Sequence, residues 1–135
     1  MTVSPATPRM VEVSGAEALW LVEGSGLGRL VYGHRGLTVV RPARHVWEYG
    51  RLVVRAPVRA AAVPEAVTYQ TDEIQAAAGT GWTVTLSGPA EVVTDPNEVA
   101  HHRRTLPGWS HGPHDIVLRI RPTTVTGFRL LRAEG

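Results

Sequence analysis

Helical signals occur at two places in this chain. Elsewhere the apolar residues come as short β-branched runs broken by turn residues. Ser14-Gly15-Ala16-Glu17 has the form of a capping box, with Ser at the N-cap and Glu three residues on. Ala18, Leu19, Leu21 and Val22 follow, and Gly24 stands where a left-handed cap ends a helix. The spacing predicts a helix over 15–23. Asp95-Pro96-Asn97-Glu98 repeats the signal, with Asp as N-cap, Pro at N1 and Glu at N3, and predicts a helix over 96–105. Segments 27–32, 37–40, 43–48, 52–56, 67–71, the run beginning at Trp82, 116–120 and 125–131 read as strands. Pro57 is placed to open a single helical turn. Gly88-Pro89 interrupts the Trp82 run and predicts a bulge or bend of the kind that curls a sheet. The outline is mainly β: an antiparallel barrel with short peripheral helices.

The 135 residues fit one domain, long enough to bury a core without disulfides or metal. There is no cysteine, which excludes a thiolate nucleophile, a disulfide framework and a cysteine zinc site. No apolar run approaches the roughly 18–20 residues that span a membrane. The start, MTVSPATPRM, lacks the layout of a signal peptide. Residues 1–13 are expected to form a flexible tail, 14–135 the domain, and the cytoplasm is the expected location. The formal net charge is +2, and every basic residue is arginine, whose planar fork suits phosphate and carboxylate. These arginines are spread along the chain rather than gathered on one stripe, so no nucleic-acid partner is expected, and no membrane partner either.

His101, His102, His111, His114 and Asp115 raise the question of a metal. Adjacent helix residues diverge by about 100°, so His101 and His102 do not converge on one ion, and no metal is expected. Neither Ser87 nor Ser110 sits in a nucleophile elbow. Gly24, Gly26 and Gly28 lack the preceding strand and following Lys-Ser/Thr of a phosphate loop.

The order of several short motifs is more informative. Gly28-Arg29-Leu30 follows the capped helix. Then come Thr80-Gly81-Trp82-Thr83-Val84, the stretch from Gly88-Pro89-Ala90-Glu91 to Thr94-Asp95-Pro96, Trp109, Val117-Leu118-Arg119-Ile120 and Val125-Thr126-Gly127. This order resembles the pyridoxamine 5′-phosphate oxidase-like family, the FMN-binding split barrels, and in particular its small single-domain actinobacterial members. The resemblance covers roughly 14–131. It implies a split β-barrel, a homodimer, FMN bound where subunits meet, and flavin-dependent oxidoreductase activity on an unknown small-molecule substrate. By the same resemblance Trp82 and Thr83 fall at the flavin ring, and Trp109 and Arg119 reach toward the cofactor. Read from the residues alone, Trp82 serves equally as a core residue at a strand start.

Two stretches depart from the family pattern. The phosphate turn of relatives carries a small hydroxyl residue and a lysine; here it reads Val53-Val54-Arg55-Ala56-Pro57-Val58-Arg59, with Arg55 at the strand end and Arg59 nearest the lysine's place. Two arginines four apart are expected to grip a phosphate together. Pro-Val-Asn-Tyr of relatives is replaced by Pro42-Ala43-Arg44-His45, which offers His45 either to the slot or to the surface. The alternative to an enzyme is a carrier of flavin, deazaflavin (F420) or haem, with His45 or His111 as axial ligand, or a dimeric scaffold whose cofactor site has eroded.

Overall fold

The computed structural model describes residues 7–133 of the chain. In chain order the elements are β1 (Thr7–Val13), α1 (Gly15–Glu23), β2 (Leu27–His34), β3 (Leu37–Glu48), β4 (Arg51–Ala56), β5 (Ala66–Gln75), β6 (Thr80–Val92), α2 (Pro96–Thr105), β7 (Ile116–Ile120) and β8 (Thr124–Ala133). All strand pairs are antiparallel, in the order β1-β8-β6-β5-β2-β3-β4-β7, and β7 pairs again with β6. Strands β6-β5-β2-β3-β4-β7 therefore close into a barrel, and β8 and β1 continue the sheet away from it.

One strand makes the closure. One edge of β6 pairs with β5 from Thr80 to Pro89. Its other edge is shared: Gly81 to Ser87 face β8, and Ala90 to Val92 face β7. The handover falls at Gly88-Pro89, where the sequence suggests a bulge or bend, and the β5 pairing runs through both residues in unbroken register. There the link between β7 and β8 is held by Arg121 N donating to Pro89 O at 3.0 Å and Thr123 N donating to Ser87 O at 2.8 Å.

Alternation fills the interior. On β2, Gly28, Leu30 and Tyr32 are buried while Leu27 and Arg29 point out. Leu30, Leu52, Tyr69, Leu86, Leu118 and Ile120 are almost fully enclosed, each contributing about 1.5–3 kcal/mol of transfer free energy. Ala18, Leu21 and Val22 of α1 join this core, and a smaller cluster of Val53, Val93, Leu106 and Val117 forms beside it.

Both predicted caps form: Glu17 N donates to Ser14 Oγ at 3.1 Å and Glu98 N to Asp95 Oδ2 at 3.0 Å. Arg35-Gly36 and Tyr49-Gly50 have positive φ at both positions, as tight two-residue hairpin turns require. Four expectations are corrected. Residues 1–6 of the expected tail lie outside the described residues, but 7–13 are β1, paired along its length with β8. Gly24 ends α1 with φ −81°, not left-handed. Segments 37–40 and 43–48 are one strand, because Pro42 lies where β4, whose pairing begins at Arg44, does not reach. Pro57 precedes the short 3-10 turn at Ala60–Ala62 instead of opening it.

Candidate functional site

At one end of the barrel lies a cavity of about 340 Å3 whose polar lining is mostly basic. The β2–β3 hairpin brings Tyr32, His34, Arg35 and Arg41 to it, the segment after β4 brings Arg59, and a loop brings His111 and His114. That loop is pinched by mutual backbone bonds, His111 N to His114 O at 3.1 Å and His114 N to His111 O at 3.0 Å. Among the described residues Arg35, Arg41 and Arg59 pair with no carboxylate. Burial pushes the Tyr32 hydroxyl above its ordinary range, with Arg41 acting against it, so it remains a donor at neutral pH.

The outer face of the barrel carries a second constellation. Arg29 Nη1 donates to Gln70 Oε1 at 2.8 Å, and Gln70 Nε2 donates to Asp72 Oδ2 at 2.7 Å and to Thr83 Oγ1 at 3.0 Å. Beside this rack a cavity of about 290 Å3 is bounded by Leu27, Arg29, Pro42, Asp72 and Trp109. The Arg44 guanidinium stands 5.1 Å from the centre of the Trp109 ring.

The comparisons with known proteins agree with this architecture. Residues 14–129 match the family model described as pyridoxamine 5′-phosphate oxidase. This chain belongs to the pyridoxamine 5′-phosphate oxidase family. The Mycobacterium tuberculosis protein Rv0080 is 33% identical over 138 residues, covering 95% of this chain and 91% of that one. Among solved structures, an FAD-binding protein of Mycobacterium smegmatis superposes with TM-score 0.65 and 24% identity, covering 91% of this chain and 99% of that one. An FAD-binding protein of Mesorhizobium loti gives TM-score 0.70 and 17% identity, covering 93% and 99%. The fold is the split barrel of that family. No helix among the described residues is long and apolar enough to cross a membrane.

Set on the family's frame, the residues expected at the cofactor separate. Arg59 lines the basic cavity. Arg55 does not join it: its Nε and Nη2 donate to the two oxygens of Asp115, each at 3.0 Å, and Nη1 donates to the carbonyls of Arg103 at 3.1 Å and Leu106 at 2.8 Å. The expected two-arginine grip on a phosphate is thus not formed. Trp82 and Thr83 point to opposite faces, as neighbours in a strand must. Trp82 is 8% exposed and packs in the core, while Thr83 joins the outer rack. Gly81, just before them, is held in the β5–β6 ladder against the Glu73 backbone. Trp109 is on the outer face, 43% exposed. Arg119 is held elsewhere by Glu98 at 2.7 Å and Glu91 at 3.3 Å, and the Glu98 hydrogen bond holds its pKa above the ordinary value. Sequence reasoning missed Tyr32, His34, Arg35 and Arg41. The Arg35-Gly36 turn was the available signal, since it folds Arg41 back alongside Leu30.

His45 is 3% exposed and belongs to neither cavity. Its Nε2 lies 3.1 Å from both Val22 O and Ser25 Oγ, and its Nδ1 lies 2.6 Å from the Tyr69 hydroxyl. A carbonyl only accepts, so Nε2 carries the proton and Tyr69 donates to Nδ1. Both nitrogens are taken, and His45 does not fit as an axial ligand for haem. Burial holds the His45 pKa below its ordinary value, and burial does the same to His102, itself 4% exposed. The unfolded chain then binds protons that the folded chain does not. Folding stability from these groups is complete above about pH 6.5 and is lost as pH falls through that value toward the folded pKa. Urea midpoints measured from pH 8 to pH 5 are expected to fall on the acid side, with a shallower fall in His45→Gln. A flat profile for the parent protein contradicts the assignment.

Proposed function

We propose that this protein is a flavin-nucleotide-binding oxidoreductase with FMN as cofactor. The observation that carries the reading is the basic cavity, where Arg35, Arg41 and Arg59 have no carboxylate partner among the described residues and are available to a phosphate. Other arginines of the chain, at 29, 55, 103, 119 and 129, are tied to carboxylates. The residues therefore fit an anionic cofactor. Arg59 and Arg41 hold the phosphate by charge-assisted hydrogen bonds, and Tyr32 adds a neutral donor. When bound, the flavin supplies hydride acceptance and donation. The protein's part is to orient it and to exclude water. No side chain in either cavity is required as a general acid or base. We further propose a homodimer formed through the outer face of β2 and β3, where Leu27 and Val40 are about half exposed beside Trp109. Such an interface brings Thr83 and Trp109 of one copy toward the other copy's cofactor.

The test is an absorbance spectrum of the purified protein after loading with FMN and desalting, with light scattering for the mass. Bands near ~370 and ~450 nm that stay with the protein are expected. Arg41→Ala combined with Arg59→Ala is expected to weaken FMN by roughly 100-fold, about 2.8 kcal/mol for two lost charge-assisted contacts. The two solved relatives named as FAD-binding, together with the arginines and histidines around the cavity, make FAD and F420 the comparison ligands. Retention of none of the three overturns the reading in favour of a scaffold, and equal FMN affinity in the double variant overturns the placing of the phosphate at Arg41 and Arg59.

A further inference from the structure

A separate cavity of about 380 Å3 lies at the C-terminal end of α1 and shares no lining residue with the basic one. Two tryptophans form its apolar part: Trp82, 8% exposed, from the sheet, and Trp20, 66% exposed, from the helix. Leu21, Glu23 and Gly24 of the helix end and Glu73 of β5 complete it. The register explains the grouping. Glu73, Trp82 and Arg129 lie side by side across β5, β6 and β8, so their side chains share one face, the face that α1 covers. Arg129 is already engaged, donating to Glu17 Oε1 at 3.0 and 2.8 Å. Glu23 and Glu73 form no ion pair among the described residues. The last turn of α1 has no basic residue, so the negative end of the helix dipole is also uncompensated there. In a chain of net charge +2, this cleft combines aromatic walls with negative charge and has no lining cation.

We propose that this cleft binds a small organic cation, a substituted ammonium of the trimethylammonium type, between Glu23 and Glu73 and against Trp20 and Trp82. Aromatic faces attract a cation that has given up its water, and methyl groups on nitrogen lower the cost of that desolvation. A hard metal ion does not match the site, because it requires six or more oxygen ligands and two indole rings supply none. The volume lies in the range of small-ligand pockets. The proposal goes beyond the flavin reading and stands without it.

The test is calorimetric titration of the full chain with choline, repeated with its uncharged isostere 3,3-dimethylbutan-1-ol. Saturable choline binding is expected, with the isostere at least about tenfold weaker. Trp20→Ala, and Glu23→Gln combined with Glu73→Gln, are each expected to weaken choline by about tenfold or more. These three side chains are on exposed residues, so the variants are expected to keep the parent melting temperature. Absence of saturable binding up to about 50 mM choline, equal affinity for the isostere, or parent-like affinity in the variants overturns the proposal.

Discussion

Replacing Gly88 with alanine is expected to cost at least ~3 kcal/mol of folding stability. The constraint is space, since the Gly88 backbone does not lie in the left-handed region. A Cβ built there would lie 2.0 Å from the carbonyl oxygen of Arg121 and 2.9 Å from its carbon. Both contacts are with backbone, so no side chain can swing aside. The strand must instead part from the β7–β8 link, and that loosens the bonds from Arg121 N and Thr123 N that bracket it. The barrel closes only because β6 serves β8 and β7 in turn. A local separation here therefore acts on closure as a whole. Gly33→Ala is the control: nothing lies within 4 Å of its added Cβ, and a change within about 0.5 kcal/mol is expected. Chemical denaturation of both variants checks this, and a Gly88→Ala protein as stable as the parent would sink the account of closure.

Arg55→Ala is expected to cost about 3 kcal/mol, which for a domain of this size lowers the melting temperature by roughly 12 °C. The Arg55 and Asp115 side chains are 15% and 17% exposed. Removing the guanidinium leaves the Asp115 carboxylate only the longer contact with Arg103 Nε, at 3.6 Å, and leaves two carbonyls, of Arg103 and Leu106, without that donor. Those carbonyls belong to the end of α2 and the residue after it, so Arg55 ties α2 and the approach to β7 onto β4. Arg55→Lys keeps the charge but not the fork and is expected to recover less than half of the loss. Flavin affinity, measured below the melting transition, is expected to stay within a few-fold of the parent. A melting temperature that does not move while flavin binding collapses would instead return Arg55 to the phosphate.

The parts of the fold that were legible share one property: their partners are near in sequence. Ser14 and Glu17, Asp95 and Glu98, and the glycines of the two hairpins each satisfy a local geometric demand, so the residues announce the structure. β7 was read at its true bounds because a compact apolar run allowed little else. β1 was missed because its residues are almost all exposed, and it is a strand only because β8 offers an edge. The roles of Arg55 and His45 were illegible for the same reason. Asp115 stands 60 residues from Arg55, and Tyr69 stands 24 residues from His45.

The sequence by itself determined the two helices and their N-caps, the tight turns, the absence of cysteine chemistry and, through the order of short motifs, the family. Only the tertiary structure decided which arginines are free and which are spent, and that Trp82 and Thr83 serve different faces. Capping and turn formation are settled within a few residues. An arginine's partner and the inward face of a strand exist only once the sheet has closed.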